Sequence, residues 1–371
     1  MKNLSILVIG GGIGGLTAAL ALRQRGFAVH LIEKDPAWSV YGVGIIQQGN
    51  VLRAVDALGI LDRYIGAGAG FDAVEVYLPN GARVARVPTP RLLPDRPANV
   101  GVSRRALQRV LADAVREADA SLKLGVTVTD LEDDGSQVDV RFSDGSTGRY
   151  DLVVGADGTY SATREMVLPD APRPAFTGQA VWRYNLPRPA DLDALHVYNG
   201  PIGAGLVPIS SELMYMYLTT PEPGNPRFPR EGLAAAMRSR TLQCAPAIRA
   251  LAEQITDDDG VVYRPLEGLL VEGPWHRGRV VLLGDAVHAT TPHLGQGAGM
   301  AIEDSLVLAE ELARHADVES AFQAYRARRF ERCAYIVRAS LAICMGQLGK
   351  GPLVDNAKAT AEMFAVTAQP I

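Results

Sequence analysis

A glycine-rich turn directly after a short apolar run is the feature of this sequence that most constrains its fold. The run Leu4–Ile9 is nearly all apolar and ends at the pattern Gly10-x-Gly12-x-x-Gly15, which predicts a buried parallel strand followed by a tight turn. Apolar residues then recur at helical spacing over Ile13–Arg25. In this pattern the glycines allow the turn, the approach of a pyrophosphate and the close packing of helix on strand. The sequence therefore predicts a dinucleotide-binding βαβ unit at the N-terminus.

An acidic residue completes this unit at the end of its second strand. The apolar segment Phe27–Glu33 follows a helix stop at Gly26, and its last residue is Glu33. A carboxylate at this place accepts hydrogen bonds from ribose hydroxyls and repels a 2′-phosphate. Strand, helix, strand and acid in register make the pattern specific for a dinucleotide, but they do not distinguish FAD from NAD.

Composition and charge argue against several other classes of protein. The chain has 371 residues and a formal net charge of −4, and it has no basic run of the kind that binds nucleic acid. Outside the glycine-interrupted N-terminus, no apolar stretch reaches the ~18 residues of a membrane span. The cysteines Cys244, Cys333 and Cys344 form no CxxC pattern, so we expect reduced thiols and no metal site. We therefore expect a cytoplasmic protein without a nucleic-acid or membrane partner.

The rest of the chain alternates helical and strand-like segments. Apolar periodicity predicts helices over Gln47–Leu61, Ser103–Ala118, Glu231–Gln254, Met300–His315 and Ser320–Leu348. Short apolar or alternating runs predict strands over Val126–Leu131, Gln137–Phe142, Tyr150–Val154, Leu213–Thr219 and Arg279–Leu283. Proline-rich connections begin near Leu168. This order predicts one nucleotide-binding domain that is interrupted by a second, β-rich domain.

Two further motifs place a carboxylate directly after a buried strand. The first is Gly155-Ala156-Asp157-Gly158, which continues to Arg164. The second is Gly284-Asp285-Ala286-Val287-His288, which is followed by Pro292, by the stretch Gly295–Gly299 and by Glu303-Asp304. In a doubly wound sheet these positions lie at the carboxyl edge, where ligands bind. Either aspartate alone would be an ordinary turn or capping residue, but three motifs in this order indicate one shared ligand.

The three motifs, GxGxxG, GADGxxSxxR and GDAxHxxxPxxGQG, resemble those of the class A flavoprotein aromatic hydroxylases, which have the para-hydroxybenzoate hydroxylase fold. The resemblance covers nearly the whole chain. It implies an α/β fold with a Rossmann-type FAD-binding domain (GR2/PHBH-like), an inserted β-sheet substrate domain and C-terminal helices. The implied FAD domain comprises residues 1–70, 98–168 and 272–371. The implied substrate domain comprises residues 71–97 and 169–271, and its sheet covers the flavin.

The resemblance also implies which residues hold noncovalent FAD. The glycine-rich turn and Glu33 would hold the ADP half, Arg104 would lie near the flavin, and Asp285 would bind the ribityl chain. Val128 would offer a backbone contact to the adenine, and Asp157 stands where the family links FAD and NAD(P)H binding. The implied cofactor-binding residues are Gly10, Gly12, Gly14, Gly15, Glu33, Lys34, Gly44, Arg104, Val128, Asp157, Asp285, Pro292, Gly295, Gln296, Gly297, Ala298 and Gly299.

The place of Gly295–Gly299 has a physical reason. This stretch opens the helix predicted over Met300–His315, and the resemblance implies that its N–H groups point at the pyrimidine ring of the flavin. Reduced flavin is an anion there, and the positive end of a helix stabilises it. By the resemblance, the reduced flavin then forms a C4a-hydroperoxide with O₂, while the protein excludes water and positions the substrate.

Candidate catalytic residues are Arg183, Tyr215 and His293, and candidate substrate contacts are Gln47, Arg183, Tyr215, Tyr217 and Pro292. Arg183 follows Trp182 in a strand similar to one of the family, where it would orient the peroxide or bind an anionic substrate; a surface arginine is the alternative. Tyr215 and Tyr217 share one strand face, which suits either a substrate cavity or a core. His293 would accept a proton from the substrate or lie in solvent, and we expect His288 to be structural.

The reaction that the resemblance implies is an FAD-dependent hydroxylation of a small phenolic or N-heteroaromatic ring. O₂ would be consumed, and NAD(P)H would bind transiently, because no second GxGxxG is visible. Ile46 stands where some relatives that oxidise hydroxylated pyridines carry a histidine, which counts against that substrate type. The separation of Trp38, Trp182 and Trp275 argues against a flavin halogenase. A decarboxylative hydroxylation, a saturating reductase and a non-catalytic flavin-binding protein stay open, as do a monomer and a homodimer.

Overall fold

A parallel sheet at the centre of the molecule carries the glycine-rich turn. The structure is a computed structural model that describes residues 4–40, 42–200 and 202–371. In spatial order the six strands of this sheet are β18 (His276–Arg277), β19 (Val280–Leu282), β12 (Leu152–Gly155), β1 (Ser5–Ile9), β2 (Ala28–Glu33) and β8 (Ser121–Leu124). All but β18 run parallel. Their apolar runs are buried on both faces, as the sequence predicts.

Helices cover both faces of this sheet and extend beyond it. They are α1 (Ile13–Gln24), α2 (Gly49–Ala57), α3 (Leu61–Gly66), α4 (Arg104–Glu117), α5 (Ala162–Val167), α8 (Asp285–His288), α9 (Gly297–Arg314), α10 (Val318–Gln347) and α11 (Asn356–Ala368). Helix α1 packs against α4 and α9, and the hydroxyls of Thr17 and Ser305 lie 2.9 Å apart across the α1–α9 contact. Among the described residues, no helix combines the length and the apolar content that crossing a bilayer requires.

Two three-stranded sheets flank the parallel sheet. One is antiparallel and consists of β9 (Val128–Asp133), β10 (Val138–Phe142) and β11 (Thr147–Tyr150). The other consists of β3 (Gly44–Gln48), β7 (Asn99–Ser103) and β4 (Gly68–Phe71). The helix predicted from Gln47 therefore begins two residues later, at Gly49, because β3 pairs with β7 as far as Gln48.

A seven-stranded sheet forms the second half of the molecule. In spatial order it contains β17 (Val262–Gly268), β13 (Ala175–Pro187), β16 (Leu213–Pro221), β15 (Gly203–Pro208), β14 (Leu195–Tyr198), β5 (Ala73–Tyr77) and β6 (Arg83–Pro88). All seven strands come from the two segments 71–97 and 169–271. One face packs against α6 (Leu233–Arg240) and α7 (Pro246–Ala252) around a core that includes Trp182, Met214 and Met216. The fold class predicted from the sequence is confirmed.

The single helix predicted over Glu231–Gln254 was wrong. The structure has α6, a 3₁₀ turn over Thr241–Gln243 and then α7. Pro246 is the first residue of α7, and it ends the preceding helix because proline has no N–H to donate and clashes with the turn before it.

A buried charge network ties the last strand of the parallel sheet to α9 and α10. Asp304 accepts hydrogen bonds from the Gly284 N–H (3.0 Å) and from Arg329 Nε (2.8 Å), and its other contact is His288 Nε2 at 2.6 Å. Arg329 Nη1 also lies 2.7 Å from Glu303. All four ionisable side chains are at most 1% exposed. Burial favours the neutral acid, yet His288 and Arg329 together hold the pKa of Asp304 below its ordinary value.

Removing the guanidinium from this network should destabilise the protein strongly. Arg329→Met would leave two buried carboxylates short of a partner, and the expected loss in the free energy of unfolding is about 3–5 kcal/mol. Denaturant unfolding measures it. Arg338→Met is the matched control on the same helix, since it breaks an exposed ion pair with Glu272 worth at most ~1 kcal/mol. Equal losses in both variants would contradict the account.

Candidate active site

The glycine-rich turn leaves space in front of the α1 N-terminus. Gly10 has φ +107°, and a Cβ there would lie 2.5 Å from the Ala156 carbonyl oxygen. A Cβ on Gly15 would lie 1.8 Å from the Gly10 carbonyl oxygen, whereas a Cβ on Gly12 would meet no atom within 4 Å. No side chain caps the first turn of α1, so its N–H groups stay available. Open space before an uncapped helix N-terminus fits a pyrophosphate.

The peptide at Gly11 is held by three side chains. Its N–H donates to Glu33 Oε2 (2.7 Å), and its carbonyl accepts from Trp38 Nε1 (2.8 Å) and Gln108 Nε2 (3.0 Å). Glu33 Oε1 accepts from the Asp35 N–H. Each carboxylate oxygen keeps a lone pair for a ribose hydroxyl. Sequence reasoning missed Trp38 and Gln108, because they belong to no motif.

Side chains of the second motif fix its own turn and the turn of the third motif. The Asp157 carboxylate accepts from the Thr163 N–H (3.0 Å), the Thr163 hydroxyl (2.9 Å) and the Ser161 hydroxyl. Arg164 is 2% exposed and donates to the carbonyl of Ala286, in the third motif, at 2.9 Å. Asp157 and Arg164 therefore fix the two turns that follow β12 and β19. A link between Asp157 and NAD(P)H binding stays a prediction.

Asp285 stands where the three motifs meet. Its side chain is solvent-exposed, yet protein surrounds it closely enough to raise its pKa, and His288 and Arg104 oppose that shift. The carboxylate therefore lines a cleft and not the outer surface. It accepts a hydrogen bond from the Thr159 hydroxyl at 3.4 Å, which leaves lone pairs for ligand hydroxyls.

The N-terminus of α9 opens toward the same cleft. Gly295 has φ +68°, and the helix starts at Gly297 without a side-chain cap. The Gln296 amide is buried and exchanges two hydrogen bonds of 3.0 Å with Asn50, which also donates to Glu303 at 2.9 Å. The first N–H groups of α9 are therefore held in place and carry no acidic side chain in front of them.

These observations show that the residues fit FAD. Uncapped helix N-termini at α1 and α9 would receive the pyrophosphate and the electron-rich end of the flavin. Glu33 and Asp285 offer carboxylate oxygens for the ribose and the ribityl hydroxyls. Between them, glycines let the backbone come close.

Arg104 connects this cleft to the seven-stranded sheet. It begins α4 behind the Ser103 cap, and its side chain lies against Gly42, just before β3, where a Cβ would be only 2.7 Å from Arg104 Cδ. Burial lowers the pKa of Arg104, while Tyr215 and Asp285 oppose the shift. The guanidinium therefore lies near both the predicted flavin side and the predicted substrate side.

Three candidate substrate residues share one face of the seven-stranded sheet. Arg183 pairs with Tyr217, and Tyr217 pairs with Gly205. A Cβ on Gly205 would lie 2.3 Å from the Tyr217 ring, so this ring rests on the glycine. Tyr215, whose ring centroid lies 6.3 Å from that of Tyr217, approaches Gly44 equally closely. The structure thus brings Arg183, Tyr215 and Tyr217 together at the edge of the cofactor cleft.

Arg183 is a cation without a carboxylate partner among the described residues. Burial, with a smaller contribution from the nearby Arg104, lowers its pKa to about 10 against the opposing effect of Tyr215. Burial also raises the pKa of both tyrosines. At neutral pH the face therefore presents one guanidinium on β13 next to two neutral phenols on β16.

His293 is neither free nor solvated. It lies in the 3₁₀ turn that Pro292 opens, with Nδ1 2.9 Å from the Thr291 hydroxyl and Nε2 3.1 Å from Gln347 Oε1. An amide oxygen only accepts, so Nε2 carries the proton and Nδ1 accepts from Thr291. Burial lowers the pKa of His293 to about 4. As a base it would first have to give up the Thr291 bond.

The candidates Gln47 and Val128 lie away from the sheet face that carries Arg183, Tyr215 and Tyr217. Gln47 is 1% exposed and both atoms of its amide lack a partner. Its neighbour on β3, Ile46, packs with Tyr215, so Gln47 points to the opposite side from the tyrosines. Val128 begins β9 with a buried side chain, and Val126 is the residue whose N–H bonds the Glu33 carbonyl.

Three further cofactor candidates lie at the end of β2 and in the first turns of α1 and α9. Lys34 is exposed at the end of β2. A Cβ on Gly14 would lie 3.0 Å from Leu283, so Gly14 serves the packing of α1. Ala298 lies in the first turn of α9 with Gly297 and Gly299.

Comparison with known proteins gives the family. The family described as FAD binding domain matches residues 3–340. The chain belongs to this family. The flavoprotein is 33% identical over 357 residues to aurachin C monooxygenase/isomerase of Stigmatella aurantiaca, covering 94% of this chain and 90% of the relative. It is 32% identical over 357 residues to 3-hydroxybenzoate 6-hydroxylase of Polaromonas naphthalenivorans strain CJ2, covering 91% and 86%.

A solved structure has the same fold. Klebsiella pneumoniae HpxO complexed with FAD and uric acid superposes with a TM-score of 0.82 at 28% identity, over 98% of this chain and 92% of that chain. The resemblance to the class A flavoprotein aromatic hydroxylases is confirmed. The protein is an FAD-dependent monooxygenase, and its cofactor is FAD.

Two glycine variants should separate the roles of the turn. Gly12→Ala puts a methyl group into open space, so we expect FAD affinity to fall about tenfold or more, since overpacking costs ~1–3 kcal/mol, while the apoprotein melts normally. Gly15→Ala should lower both FAD affinity and stability, because its Cβ meets backbone. Titration of apoprotein with FAD and thermal melting measure these effects.

The control for both is Gly66→Ala, whose Cβ meets nothing within 4 Å and whose site is remote from the turn. Wild-type FAD affinity in Gly12→Ala would show that no cofactor fills the space in front of α1.

His293 should also contribute to the pH dependence of the free energy of unfolding. Between pH 4 and the ordinary histidine pKa of 6.5, His293 binds a proton in the unfolded state but not in the folded state. The free energy of unfolding therefore rises with pH in this range. His293→Gln removes this contribution. The difference between wild type and variant, from denaturant unfolding, should grow from pH 4 to 6.5 and stay level above; a flat difference would contradict the buried neutral state.

Proposed function

We propose that this monooxygenase hydroxylates a small, electron-rich aromatic or N-heteroaromatic ring that bears an acidic or anionic substituent. The observation that carries the proposal is the face of Arg183, Tyr215 and Tyr217, where a guanidinium without a carboxylate partner among the described residues lies opposite Tyr217 and near Tyr215 and Arg104. Aromatic walls suit a planar ring, and a guanidinium suits a carboxylate or phenolate. The names of two relatives support it, one acting on 3-hydroxybenzoate and one structure holding uric acid.

FAD, when bound and reduced, supplies the activation of O₂; the residues of this chain do the rest. The uncapped N-terminus of α9 stabilises negative charge on the ring system placed before it. Asp285 and Glu33 hold hydroxyl groups, and the glycine turns fix the distance to the backbone. Arg183 orients the substrate by its acidic group. The tyrosine rings exclude water from the reacting carbon.

NAD(P)H is proposed as a transient reductant. Among the described residues only one strand–turn–helix unit carries the dinucleotide pattern, and FAD uses it. A reductant that binds and leaves needs no second fold of this kind.

Arg183→Met should weaken the monooxygenase for anionic substrates selectively. A panel that includes 3-hydroxybenzoate, uric acid and uncharged phenols is tested for stimulation of NADH and NADPH oxidation, with product mass for the added oxygen atom. For the stimulating anionic compounds we expect KM to rise about tenfold or more, because hydrogen bonds to charged groups contribute ~1.5–3 kcal/mol. FAD content should stay unchanged.

The exposed Arg338→Met is the control for lost charge. An equal rise in KM for charged and uncharged phenols would contradict a role in binding the anion. A panel in which no compound stimulates oxidation or gains oxygen would contradict the proposed substrate class.

A further inference from the structure

The inner face of the seven-stranded sheet continues beyond the tyrosines as an aliphatic surface. The row of paired residues that starts at Arg183 and Tyr217 runs through Gly205 to Val197, Val76 and Ala85, one residue on each successive strand. Paired residues direct their side chains to the same face of a sheet. The candidate ring site and the far edge of the sheet therefore share one face.

A second row runs beside the first. Tyr215 pairs with Val207, and Val74 pairs with Leu195 and Val87. Leu195 packs in the same apolar cluster as Tyr215 and Val207, which joins the two halves of this row. The aliphatic surface is made of six residues: Val74, Val76, Ala85, Val87, Leu195 and Val197.

This surface is aliphatic and partly open. Strands β5, β6 and β14 direct no charged side chain of their regular pairs to it. Its residues are half-buried, and Val87 at the edge is 46% exposed. From β14 to β6 it crosses two strand spacings of ~4.8 Å, or about 10 Å, and the ring site on β16 lies two spacings further along the same face. It is therefore a continuous surface and not an isolated exposed valine.

The opposite face of the same three strands carries a charged cluster around the buried Glu75, beside Tyr77 and Tyr198, which pack in the core around Trp182. Glu75 accepts hydrogen bonds from Arg83 and Arg86 at 2.7 Å and from the Tyr77 hydroxyl at 2.5 Å, and His196 lies 3.3 Å from it. A half-covered sheet normally turns its polar face to solvent and its apolar face to a core. Here the aliphatic face is left partly open, and it begins at the candidate ring site.

We propose that the aliphatic surface is a subsite for an unbranched hydrocarbon substituent on the substrate ring. This rests on the proposed function, which places the ring at Tyr215 and Tyr217. The substituent would pass the Tyr217 ring, which covers Gly205, and lie along Val197 and Val76. The surface has no polar group with which to hold anything but hydrocarbon, so affinity would grow with the length of the chain.

The test uses the FAD-loaded protein and four probes: 4-methyl-, 4-propyl-, 4-pentyl- and 4-heptylphenol. Perturbation of the flavin absorbance gives Kd, and NAD(P)H oxidation is followed in parallel. We expect Kd to fall about fourfold for each methylene buried. Val76→Thr, which preserves shape, and Val87→Asp, at the exposed edge, should flatten this dependence and leave Kd for 4-methylphenol unchanged. Leu353→Asp is the control, since Leu353 is 87% exposed and lies outside the aliphatic surface.

The outcomes separate the two proposals. Equal Kd along the series would overturn the hydrocarbon subsite and leave the ring site standing. Tighter binding of long chains without stimulated oxidation would support the subsite and count against the proposed reaction. Binding of no probe would overturn the hydrocarbon subsite, whereas the proposed function, whose substrates carry an acidic or anionic group, is overturned only if the panel with 3-hydroxybenzoate and uric acid also fails. A dimer by light scattering that Val87→Asp dissociates, with no chain-length dependence, would assign the surface to a second copy of the chain and overturn the subsite.

Discussion

The buried carboxylate of Asp304 is the interaction on which the cofactor cleft depends. It accepts the N–H of Gly284, contacts His288 and pairs with Arg329, so one side chain joins the turn after β19 to α9 and α10. An unpaired charge in that place would cost several kcal/mol. Because Asp304 lies on α9, the same bonds set where the N-terminus of that helix points.

From this anchor, two smaller networks fix the remaining sides of the cleft. Arg164 ties the turn after β12 to the turn after β19, and Asn50 ties β3 and α2 to Gln296. The turns after β12 and β19 and the start of α9 are therefore braced from behind by buried polar side chains, and the glycine-rich turn is held by the half-buried Glu33, Trp38 and Gln108. This bracing pre-forms a site of backbone N–H groups, which binding then need not order.

Much of the cofactor half could be predicted from the sequence, because its constraints are local. Gly10 and Gly15 are required by contacts within one strand–turn–helix unit, and Asp285 follows a strand whose burial is visible as an apolar run. The residues that hold these turns were not predictable in the same way. Trp38, Gln108 and Gln347 act across sequence separations of 27, 97 and 54 residues, and nothing in their surroundings marks them.

The substrate half was predictable only in part. The alternation of Leu213–Thr219 indicated a strand with Tyr215 and Tyr217 on one face, and the structure has that strand. Gln47 lies in β3, but the apolar periodicity places it at the start of a helix. Because side chains alternate between the two faces of a strand, the side that Gln47 faces follows only from the register of β3. The charged cluster and the aliphatic surface on the two faces of β5, β6 and β14 become visible only when pairing brings distant segments together.

Oxygen isotope labelling tests the central claim most directly. The FAD-loaded protein turns over a stimulating phenol with NAD(P)H under ¹⁸O₂ in ordinary water, and mass spectrometry follows the product. A monooxygenase that uses this cleft places one ¹⁸O atom in the product. A product that carries oxygen from water, or NAD(P)H oxidation that yields only reduced oxygen species and unchanged phenol with every compound tried, would contradict the account.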